Sequence, residues 1–398
     1  MNVFVVNCGS SSLKYQLIDS ETEQVIAKGL CERIGIDGRL THKPAGKSEI
    51  VKEVAMPDHK AAVSYVLEAL TGVDSGVIAD LSAIDAVGHR IVHGGEKFAS
   101  SVVINDEVIA AIEECNDLAP LHNPANLIGI SACRAIMPNV PMVAVFDTAF
   151  HQTMPKEAYL YGISYEYYEK FKVRKYGFHG TSHSFVSKRM LELMGRQNQE
   201  SKVIVCHLGN GSSITAVRNG ESVDTSMGFT PLDGLIMGTR SGSIDPAVVQ
   251  FLANKLDCSL DEIITILNKN SGVEGISGVS SDFRDLDAAS MDGNERATTA
   301  LNMFAYRAAQ YVGSYAAAMN GVDAIAFTAG IGENNCKMRK MICDYLGYLG
   351  IAINEDANAK RGEEICISTD DSKVAVYVIP TNEELAIARE TVALVNVR

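Results

Sequence analysis

The sequence predicts an α/β protein built from two related halves. Two apolar, β-branched segments each end in a turn rich in glycine and serine and then resume as alternating apolar and polar residues. This pattern is typical of a β-hairpin with a small polar tip. The segments are Val3–Leu17 (VFVVNCGSSSLKYQL) and Val203–Thr215 (VIVCHLGNGSSIT). Because about half of the chain separates them, they indicate a duplicated domain and not a solenoid of short repeats.

The two hairpins align when Asn7 is placed opposite His207, which pairs Gly9 with Gly209. The alignment treats Gly211 as an insertion, so that Ser11, Ser12 and Leu13 correspond to Ser212, Ser213 and Ile214. A weaker similarity links the apolar run into Asp147 with the run into Gly330. Glycine leaves backbone N–H groups uncovered and serine adds donors, so both tips suit a phosphate chain, although such tips also occur as plain turns.

The composition is that of an ordinary globular protein, with 46% hydrophobic and 21% charged residues. A chain of 398 residues should form two or three domains. No apolar run approaches the roughly 18 residues needed to span a membrane, and the N-terminus lacks the pattern of a signal peptide. The nine cysteines are scattered, which supports neither a disulfide framework nor a zinc site. We therefore expect a cytoplasmic protein with no membrane partner.

The formal net charge of −14 argues against nucleic-acid binding, which requires a concentrated basic face. The same charge mildly repels anions at long range, although salt screens the field beyond about 8–10 Å. An anionic substrate would therefore have to be held by a few local arginine and lysine residues.

The first half of the chain reads as strands followed by helices. Strands are predicted at Val3–Val6, Leu13–Ile18 and Gln24–Leu30, then an irregular or extended hairpin region over Arg33–Lys47. Apolar residues at helical spacing predict a helix over Asp58–Leu70. The remaining predictions are a short strand within Ile84–Phe98, a helix over Asp106–Cys115, a helix after the turn Asp117–Asn126 and a strand before Asp147.

The second half begins with a crossing near Phe150–Pro155. The elements predicted after it are a helix entered at Gly180–Ser182, the second hairpin, a helix over Glu295–Asn320 ended by Gly321, a strand over Ala324–Thr328, a glycine turn at Gly330–Asn334 that opens a helix, a strand over Val374–Ile379, and a C-terminal helix opened by Glu383 and Glu384.

Four side chains beside these turns and strand ends are candidates for chemistry. Arg90 lies in a glycine-flanked loop, where a solvated surface arginine is the plain alternative. Asp147 ends a buried-type strand, where α/β folds place ligands, or it caps the next turn. His179 precedes a helix N-terminus, a position that favours anions. Arg240 lies within a loop rich in glycine, serine and threonine, and its planar fork can hold two oxygens of a phosphoryl group or carboxylate.

Duplicated domains with such hairpins resemble the superfamily of sugar kinases, actin and Hsp70-type chaperones. The segments NCGSSSLKYQL, VGHRIVHGG (Val87–Gly95) and YGFHGTSH (Tyr176–His183) more specifically resemble the acetokinase family, and the resemblance runs to PTNEELAIAR near the C-terminus. It implies two ribonuclease H-like, actin-like ATPase domains with a central nucleotide cleft that closes by hinge motion. We expect the N-terminal domain, on the acid and metal side, to comprise residues 1–150 plus 384–398, and the C-terminal, nucleotide-side domain to comprise 151–383.

The resemblance also implies an activity, namely reversible transfer of a phosphoryl group from ATP to acetate, giving acetyl phosphate and ADP by direct in-line transfer. It implies a homodimer and dependence on Mg²⁺, with Mn²⁺ as an alternative. The implied catalytic residues are Arg90, Asp147, His179 and Arg240; Arg90, Val92, Leu121 and Pro231 would bind acetate, and Asn7 and Glu383 the metal. The implied ATP contacts are Lys14, His207, Gly209, Asn210, Gly211, Asp282, Phe283, Arg284, Gly330, Ile331, Gly332 and Asn334.

Three alternatives to this activity are considered. A kinase for propionate or another short-chain carboxylate is one, because an extra methylene in such a pocket changes selectivity by only about 1–3 kcal/mol. A sugar kinase would use Asp147 as a base facing a hydroxyl, although the two arginines favour a carboxylate. An actin-like or chaperone-like ATPase switch would not need a small-acid pocket lined by arginine. The roles of His122 and Glu384 stay open.

Overall fold

The structure of the protein is a computed structural model that describes residues 1–120, 122–197 and 199–396. Its strands are β1 (Asn2–Cys8), β2 (Leu13–Asp19), β3 (Val25–Glu32), β4 (Arg39–Pro44), β5 (Ile50–Glu53), β6 (Ala86–Ile91), β7 (Val102–Val103), β8 (Met142–Phe146), β9 (Lys202–Leu208), β10 (Ser212–Arg218), β11 (Glu221–Thr225), β12 (Ala324–Thr328), β13 (Ile365–Cys366) and β14 (Ala375–Val378).

The α-helices are α1 (His59–Thr71), α2 (Asp106–Glu113), α3 (Asn123–Ile136), α4 (Lys156–Tyr159), α5 (Tyr165–Phe171), α6 (Gly180–Leu193), α7 (Pro246–Leu256), α8 (Leu260–Lys269), α9 (Gly272–Ser277), α10 (Phe283–Met291), α11 (Glu295–Ala318), α12 (Ala329–Asn334), α13 (Cys336–Asp344), α14 (Glu355–Asn358) and α15 (Glu383–Val395). Short 3-10 helices lie at Leu81–Ala83, Asn116–Leu118, Ala149–Thr153 and Gly347–Leu349. Within the described ranges, no helix is both long and apolar enough to cross a membrane.

The chain divides into two compact units, Met1–Phe150 with Asn382–Arg398, and His151–Thr381. The return to the first unit follows Thr381, whereas the sequence-based boundary lies after residue 383. Glu383, which we predicted in the second domain, therefore belongs to the first unit. The physical reason is that Glu383 begins α15, and α15 packs on β1, β6 and β8.

In the described part of the first unit, a sheet is ordered β5-β4-β3-β2-β1-β6-β8-β7. Alternate residues of β1 enter two different cores, because successive side chains in a strand point to opposite faces. Phe4 and Val6 join the core that α1 contributes to, while Val3 and Val5 join the core that contains Ile387 of α15. Helix α1 begins after Asp58, whose side chain accepts from the N–H of Ala61, so the predicted helix at this position is confirmed.

The described residues of the second unit form a sheet ordered β11-β10-β9-β12-β14-β13. Five strands repeat the arrangement of β3-β2-β1-β6-β8, with an antiparallel meander followed by parallel pairing. One face of β9 packs in the core that contains α11, and α6 lies against β9 and β12. The predicted duplication is confirmed.

Two details of the predicted repeat are wrong. Cys8 pairs with Leu13 and Leu208 pairs with Ser212, so the second turn is one residue shorter and Leu13 corresponds to Ser212, not to Ile214. The predicted and observed registers differ by two residues, so each side chain of the strand keeps its face and only its position along the strand changes. The similarity between the runs into Asp147 and Gly330 is also misplaced, because β8 occupies the position of β14 and β12 that of β6.

Candidate active site

On the face of the first sheet that packs against α15, each row of side chains ends in a polar residue at the carboxyl end of its strand. Along β1, Asn7 continues the row of Val3 and Val5; along β6, Arg90 continues the row of Gly88. Asp147 follows β8, which is parallel to β6, and β6 is parallel to β1, so these carboxyl ends meet at one edge of the sheet. We call the group of Asn7, Lys14, Arg90, Asp147 and Glu383 the Arg90 cluster; Lys14 of β2 pairs with Asn7, and Glu383 opens α15.

Arg90 and Asp147 form a bidentate ion pair. The Nε of Arg90 donates to Oδ1 of Asp147 at 2.9 Å, and Nη2 donates to Oδ2 at 2.6 Å. The side chain of Asp147 is 2% exposed and that of Arg90 is 22% exposed. Burial opposes the charge on Arg90, but Asp147 and Glu383 outweigh it and raise the pKa of the guanidinium. The pair leaves Nη1 of Arg90 as the donor that a substrate anion could use, and it makes Asp147 the group that orients Arg90.

Glu383 is the unusual acid of the Arg90 cluster. Its carboxylate makes no hydrogen bond or ion pair with the described residues, and burial raises its pKa; Arg90 opposes the increase, while Asp147 and Glu384 add to it. A carboxylate held near other carboxylates in this way favours a cation. Together with the amide oxygen of Asn7, Glu383 offers the oxygen ligands that Mg²⁺ prefers.

These donors would be a partial coordination shell. Among the described residues, no group of three or more histidine, cysteine, aspartate or glutamate side chains could hold a metal ion alone. Mg²⁺ usually takes only one or two protein carboxylates and completes its octahedron with water and substrate phosphates. The residues present therefore fit a nucleotide-dependent Mg²⁺ site.

Two asparagines fix the loop after β6, and sequence reasoning missed both. Asn126 accepts from the N–H of Val92 at 3.0 Å and donates to the carbonyl of Cys8 at 2.7 Å. Asn123 accepts from the N–H of His93 at 3.1 Å and donates to its carbonyl at 2.9 Å. Both asparagines are buried at the start of α3, and Val92 is buried as well. The signal was the pair of asparagines flanking Pro124, which we read only as turn residues.

The other predicted residues of this region are placed less fully. Leu121 lies outside the described residues. His122 occupies the N-cap position of α3 without a side-chain cap hydrogen bond to the helix.

In the second unit, His179 is the N-cap residue before α6 and has a left-handed backbone, at φ 55°. Its Nδ1 lies 2.9 Å from Oγ of Ser213, and its ring stacks on that of His207 with 4.2 Å between centroids. The Nδ1 of His207 lies 2.8 Å from Oγ of Ser182. A non-glycine residue in this conformation stores strain of about 1–3 kcal/mol, which is commonly found at functional sites.

Arg240 and His179 converge on the turn between β9 and β10. A Cβ atom placed on Gly211 would lie 3.5 Å from Nη1 of Arg240 and 3.7 Å from Nε2 of His179. Arg240 makes no ion pair with the described residues; its Nη1 donates to the carbonyl of Pro231 at 3.3 Å, and burial lowers its pKa. A half-buried guanidinium without a carboxylate, beside an imidazole and a bare glycine, is suited to a phosphoryl group or another anion.

The turn itself is partly closed. The N–H of Gly209 donates to the carbonyl of Gly211 at 3.2 Å, so it is used within the turn. The carbonyl of Asn210 accepts from the N–H of Gly238 at 3.0 Å, which ties the turn to the loop that carries Arg240.

The structure separates the members of the predicted adenosine segment. Asp282 caps α10 by accepting from the N–H of Arg284, and the two side chains form an ion pair at the surface. The ring of Phe283 is 6% exposed and packs edge-on against Phe304 at 4.8 Å. The first turn of α10 directs the ring of Phe283 into the core, and its contact with ATP stays a prediction.

The glycine turn after β12 is confirmed as a helix opening, with Ala329 in the left-handed region at φ 63°. A Cβ atom on Gly330 would meet nothing within 4 Å, so the backbone there faces open space. Gly332 and the side chain of Ile331 are buried, and Asn334 donates to the carbonyl of Gly330 at 3.0 Å. Gly330 is therefore the member of this segment best placed for a ligand.

Glu333 holds this helix opening in place, and sequence reasoning missed it. Its Oε1 accepts from the N–H of Ala329 at 2.8 Å and from the N–H of Thr381 at 3.1 Å. The carboxylate thus joins the end of β12 to the segment after β14. An acid in a short helix opening gives no sequence signal for such a role.

Comparisons with known proteins extend over the whole chain. A sequence profile of the acetokinase family matches residues 2–389. An acetate kinase of Lachnoclostridium phytofermentans is 68% identical over 395 residues, which cover 99% of this chain and 100% of the relative. The crystal structure of an acetate kinase from Porphyromonas gingivalis is similar with a TM-score of 0.96 and 47% identity, covering 99% of both chains. A propionate kinase from Francisella tularensis is similar with a TM-score of 0.92 and 44% identity, again over 99% of both chains.

Proposed function

The chain belongs to the acetokinase family, and on that premise we propose that it transfers the γ-phosphoryl group of ATP to acetate, giving acetyl phosphate and ADP. It is an enzyme with the duplicated actin-like ATPase fold. The observation that carries the proposal is the convergence of Arg240 and His179 on Gly211, in a chain whose acetate kinase relatives match it from end to end.

Phosphoryl transfer between two anions needs alignment and charge neutralisation more than covalent help from the protein. Acetate is already ionised at neutral pH, so its oxygen can attack without a general base. We therefore infer direct in-line transfer, in which the acetate oxygen forms its bond to the γ-phosphorus while the bond to the ADP oxygen breaks. No side chain is required to carry the phosphoryl group.

Each unit contributes a separate set of contacts. In the second unit, Arg240 and His179 would donate to the oxygens of the transferring phosphoryl group, beside the turn that contains Gly211. In the first unit, Arg90 would use Nη1 on the acetate carboxylate while Asp147 holds its other face. Val92, buried and fixed by Asn126, would contact the methyl group.

The cation site is proposed for Asn7 and Glu383. Bound Mg²⁺ would neutralise charge on the nucleotide phosphates, a task for which Mn²⁺ is an alternative. Glu383 would supply the carboxylate ligand; burial raises its pKa, and the nearby carboxylates of Asp147 and Glu384 add to the increase.

We further propose that the protein is a cytoplasmic homodimer. Its cysteines are free thiols, in keeping with a reducing compartment. Helices α7 and α8 contact each other and carry exposed apolar side chains, and none of the described residues of α7 is buried. These side chains, with Ile244 just before α7, form the α7–α8 face: Ile244, Val248, Phe251, Leu256, Leu260 and Ile264. Exposed apolar side chains on two helices in contact are typical of a subunit interface.

The test of the activity is acyl hydroxamate formation with MgATP, hydroxylamine and acetate, propionate or butyrate. Hydroxylamine traps an acyl phosphate, so the strongest product with acetate is expected. Propionate should give less, because an extra methylene in the pocket costs about 1–3 kcal/mol. The structural similarity to a propionate kinase makes this comparison necessary. Stronger product with propionate would reassign the substrate, and phosphate release without hydroxamate would indicate an ATPase switch instead.

A further inference from the structure

The hydroxyl of Ser213 lies between two imidazole rings. Its Oγ is 2.9 Å from Nδ1 of His179 and 2.7 Å from Nε2 of His183. Ser213 and His183 are both fully buried. Ser213 faces away from the main core of the second unit, in the same row of β10 as Thr215, and His183 lies one turn into α6.

Among the described residues, the two rings are the only hydrogen-bond partners of the Ser213 hydroxyl, so its single proton goes to one ring or the other. With neutral rings, the chain of three groups can therefore be arranged in two directions. In the first arrangement, His179 donates from Nδ1 to Ser213, and Ser213 donates to Nε2 of His183. In the second, His183 donates from Nε2 to Ser213, and Ser213 donates to Nδ1 of His179. The two arrangements place the proton of the neutral His179 ring on different nitrogens. In the first it is on Nδ1, so that Nε2, which lies beside Gly211, carries none; in the second it is on Nε2.

The far side of His183 decides between them. Among the residues that the structure describes, the buried Nδ1 of His183 has no hydrogen-bond partner. The first arrangement would place a proton on that nitrogen and bury an N–H group without an acceptor. The second leaves only a bare lone pair there. A buried orphan N–H is the rarer and more costly defect, because under-satisfied acceptors are better tolerated.

Electrostatics keeps the His183 ring neutral, as the comparison of arrangements requires. Burial lowers its pKa well below the ordinary value, and the neighbouring His151 and His207 lower it further. The rings of His151 and His207 lie 5.7 Å and 6.0 Å from it between centroids.

We propose that Ser213 and His183 are positioning residues that fix His179 as the neutral tautomer with its proton on Nε2. That nitrogen is the one beside Gly211 and Arg240. His179 then acts as a ready N–H donor to a phosphoryl oxygen, without having to gain a proton first. The use of the donor rests on the proposed function; the tautomer does not.

The tautomer is measured directly by ¹⁵N NMR of the full-length protein labelled at histidine, with the His179 signals assigned by loss in His179→Asn. We expect a protonated Nε2 and an unprotonated, hydrogen-bonded Nδ1 on His179 in the absence of ligands. Ser213→Ala should abolish the Nδ1 hydrogen-bond signature. The matched control is Ser222→Ala, which removes the hydroxyl 2.8 Å from Nδ1 of His151 and should leave the His179 signals unchanged. A proton on Nδ1 of His179 in the unaltered protein, alone or with one on Nε2, would overturn the proposal.

Kinetics supply a second measurement. Ser213→Ala should lower kcat by about fivefold to tenfold, the effect of one lost hydrogen bond, with little change in KM for ATP. His183→Gln keeps an N–H donor towards Ser213 and should retain more activity than His183→Phe, which keeps only the bulk. Equal activity of these two variants would mean that His183 does not position His179 through Ser213. If His183→Phe does not fold, Ser213→Ala and the spectrum of the unaltered protein still test the proposal. If the tautomer is as proposed but no hydroxamate forms with any acid, the proposed function is wrong, while the roles of Ser213 and His183 in fixing the His179 tautomer are still supported.

Discussion

At the scale of single residues, the two arginines of the candidate site differ in what surrounds their charge. Arg90 forms a bidentate pair with a buried carboxylate, whereas Arg240 is half-buried and makes no ion pair with the described residues. A paired arginine is held rigidly and offers one remaining edge. An unpaired, desolvated arginine lacks a counter-ion, and a phosphoryl group would supply it. We therefore expect substitution of Arg240 to act mainly on turnover. Substitution of Asp147, which holds Arg90, should act mainly on stability.

Arg240→Lys should lower kcat far more than it weakens ATP binding. Lysine keeps the charge but cannot hold two oxygens in a fixed plane, so the loss falls on the transition state, by about 10²–10³-fold if one of its donors is lost there. Turnover by the hydroxamate assay and ATP affinity by calorimetry separate the two effects. Unchanged kcat would mean that Arg240 does not hold the transferring phosphoryl group through two oxygens.

Asp147→Asn should destabilise the first unit by about 3–5 kcal/mol, because it leaves the partly buried guanidinium of Arg90 without the carboxylate that pairs with it. The control is Glu23→Gln, which breaks an equally bidentate pair with Arg389 at the surface and should cost no more than about 1 kcal/mol. Urea unfolding measures both. Similar losses in the two variants would mean that burial of the Arg90 pair has no special weight.

Glu383→Gln should stabilise the protein in the absence of Mg²⁺ and nucleotide. Because burial raises the pKa of Glu383, the folded state binds this proton more tightly than the unfolded state does, and stability is lost as pH rises through the folded-state pKa. The glutamine removes that loss, so its Tm should exceed that of the unaltered protein by about 2–4 °C at neutral pH for each 1 kcal/mol gained. The gain should shrink as pH falls towards 4.5, the ordinary pKa of glutamate. Added MgATP should reverse the order.

The control for this variant is Glu107→Gln, an exposed acid in the first turn of α2. An acid at that position interacts favourably with the helix dipole, so its removal should give no gain. A lower Tm for Glu383→Gln at neutral pH would contradict the assignment of Glu383 as a strained cation ligand.

At the scale of elements, the hairpins were predictable because strand alternation and turn composition are both local signals. The exact register was not, because adding or removing one residue in a polar turn leaves its composition unchanged. The strands β8 and β12 were wrongly matched for a physical reason. Both are buried at every position, so both read as the same uniform apolar run. Their places in the sheets depend on long crossovers that no local pattern records.

The residues of the candidate site also divide into those with a local sequence signal and those without one. Arg240 was a candidate because of the glycine-rich loop around it, whereas the role predicted for Arg90 depended on the resemblance to the acetokinase family. Polar partners such as Asn126, Ser213 and Glu333 were not predictable, because asparagine, serine and glutamate occur in ordinary turns and helix openings as well. Only tertiary contacts distinguish the two uses.

Gly88→Ala tests the close packing of α15 on β6. A Cβ atom there would lie 2.6 Å from Cγ2 of Ile387 and 2.6 Å from Oγ1 of Thr391, so the helix would have to move. Such overpacking costs about 1–3 kcal/mol, measured as a lower free energy of unfolding. Gly162→Ala, where an added Cβ meets nothing within 4 Å, should change stability by no more than about 0.5 kcal/mol. An equally small effect of Gly88→Ala would show that α15 docks loosely.

At the scale of the whole molecule, the same frame carries two kinds of chemistry. Strand pairing places His207, Thr328 and Thr381 at the positions that Asn7, Arg90 and Asp147 occupy in the first unit. The amide of Asn7 is thus replaced by an imidazole, and the charged groups of Arg90 and Asp147 are replaced by hydroxyls. In the proposed function, the strand ends of each unit would hold a different part of the substrates.

Phe251→Glu tests the proposed homodimer. Phe251 is 60% exposed on the α7–α8 face, and a charge at that position should dissociate the subunits, halving the mass measured by analytical ultracentrifugation. Ile36→Glu, at a 73% exposed position of the first unit, is the control and should leave the mass unchanged. A monomeric unaltered protein, or a dimer that survives Phe251→Glu, would contradict the assignment of this face.

The position of α15 has a consequence for how the protein is made. Val3, Val5, Ile18, Val143 and Val145 form an apolar sheet face, and the helix that covers it is α15, which contributes Ile387 and Ala388. Domains usually fold in the order in which the ribosome releases them. Here the first unit is missing one layer until α15 leaves the ribosome, and its nascent sheet exposes valines throughout synthesis of the second unit. The half that is translated first is therefore the half that is completed last.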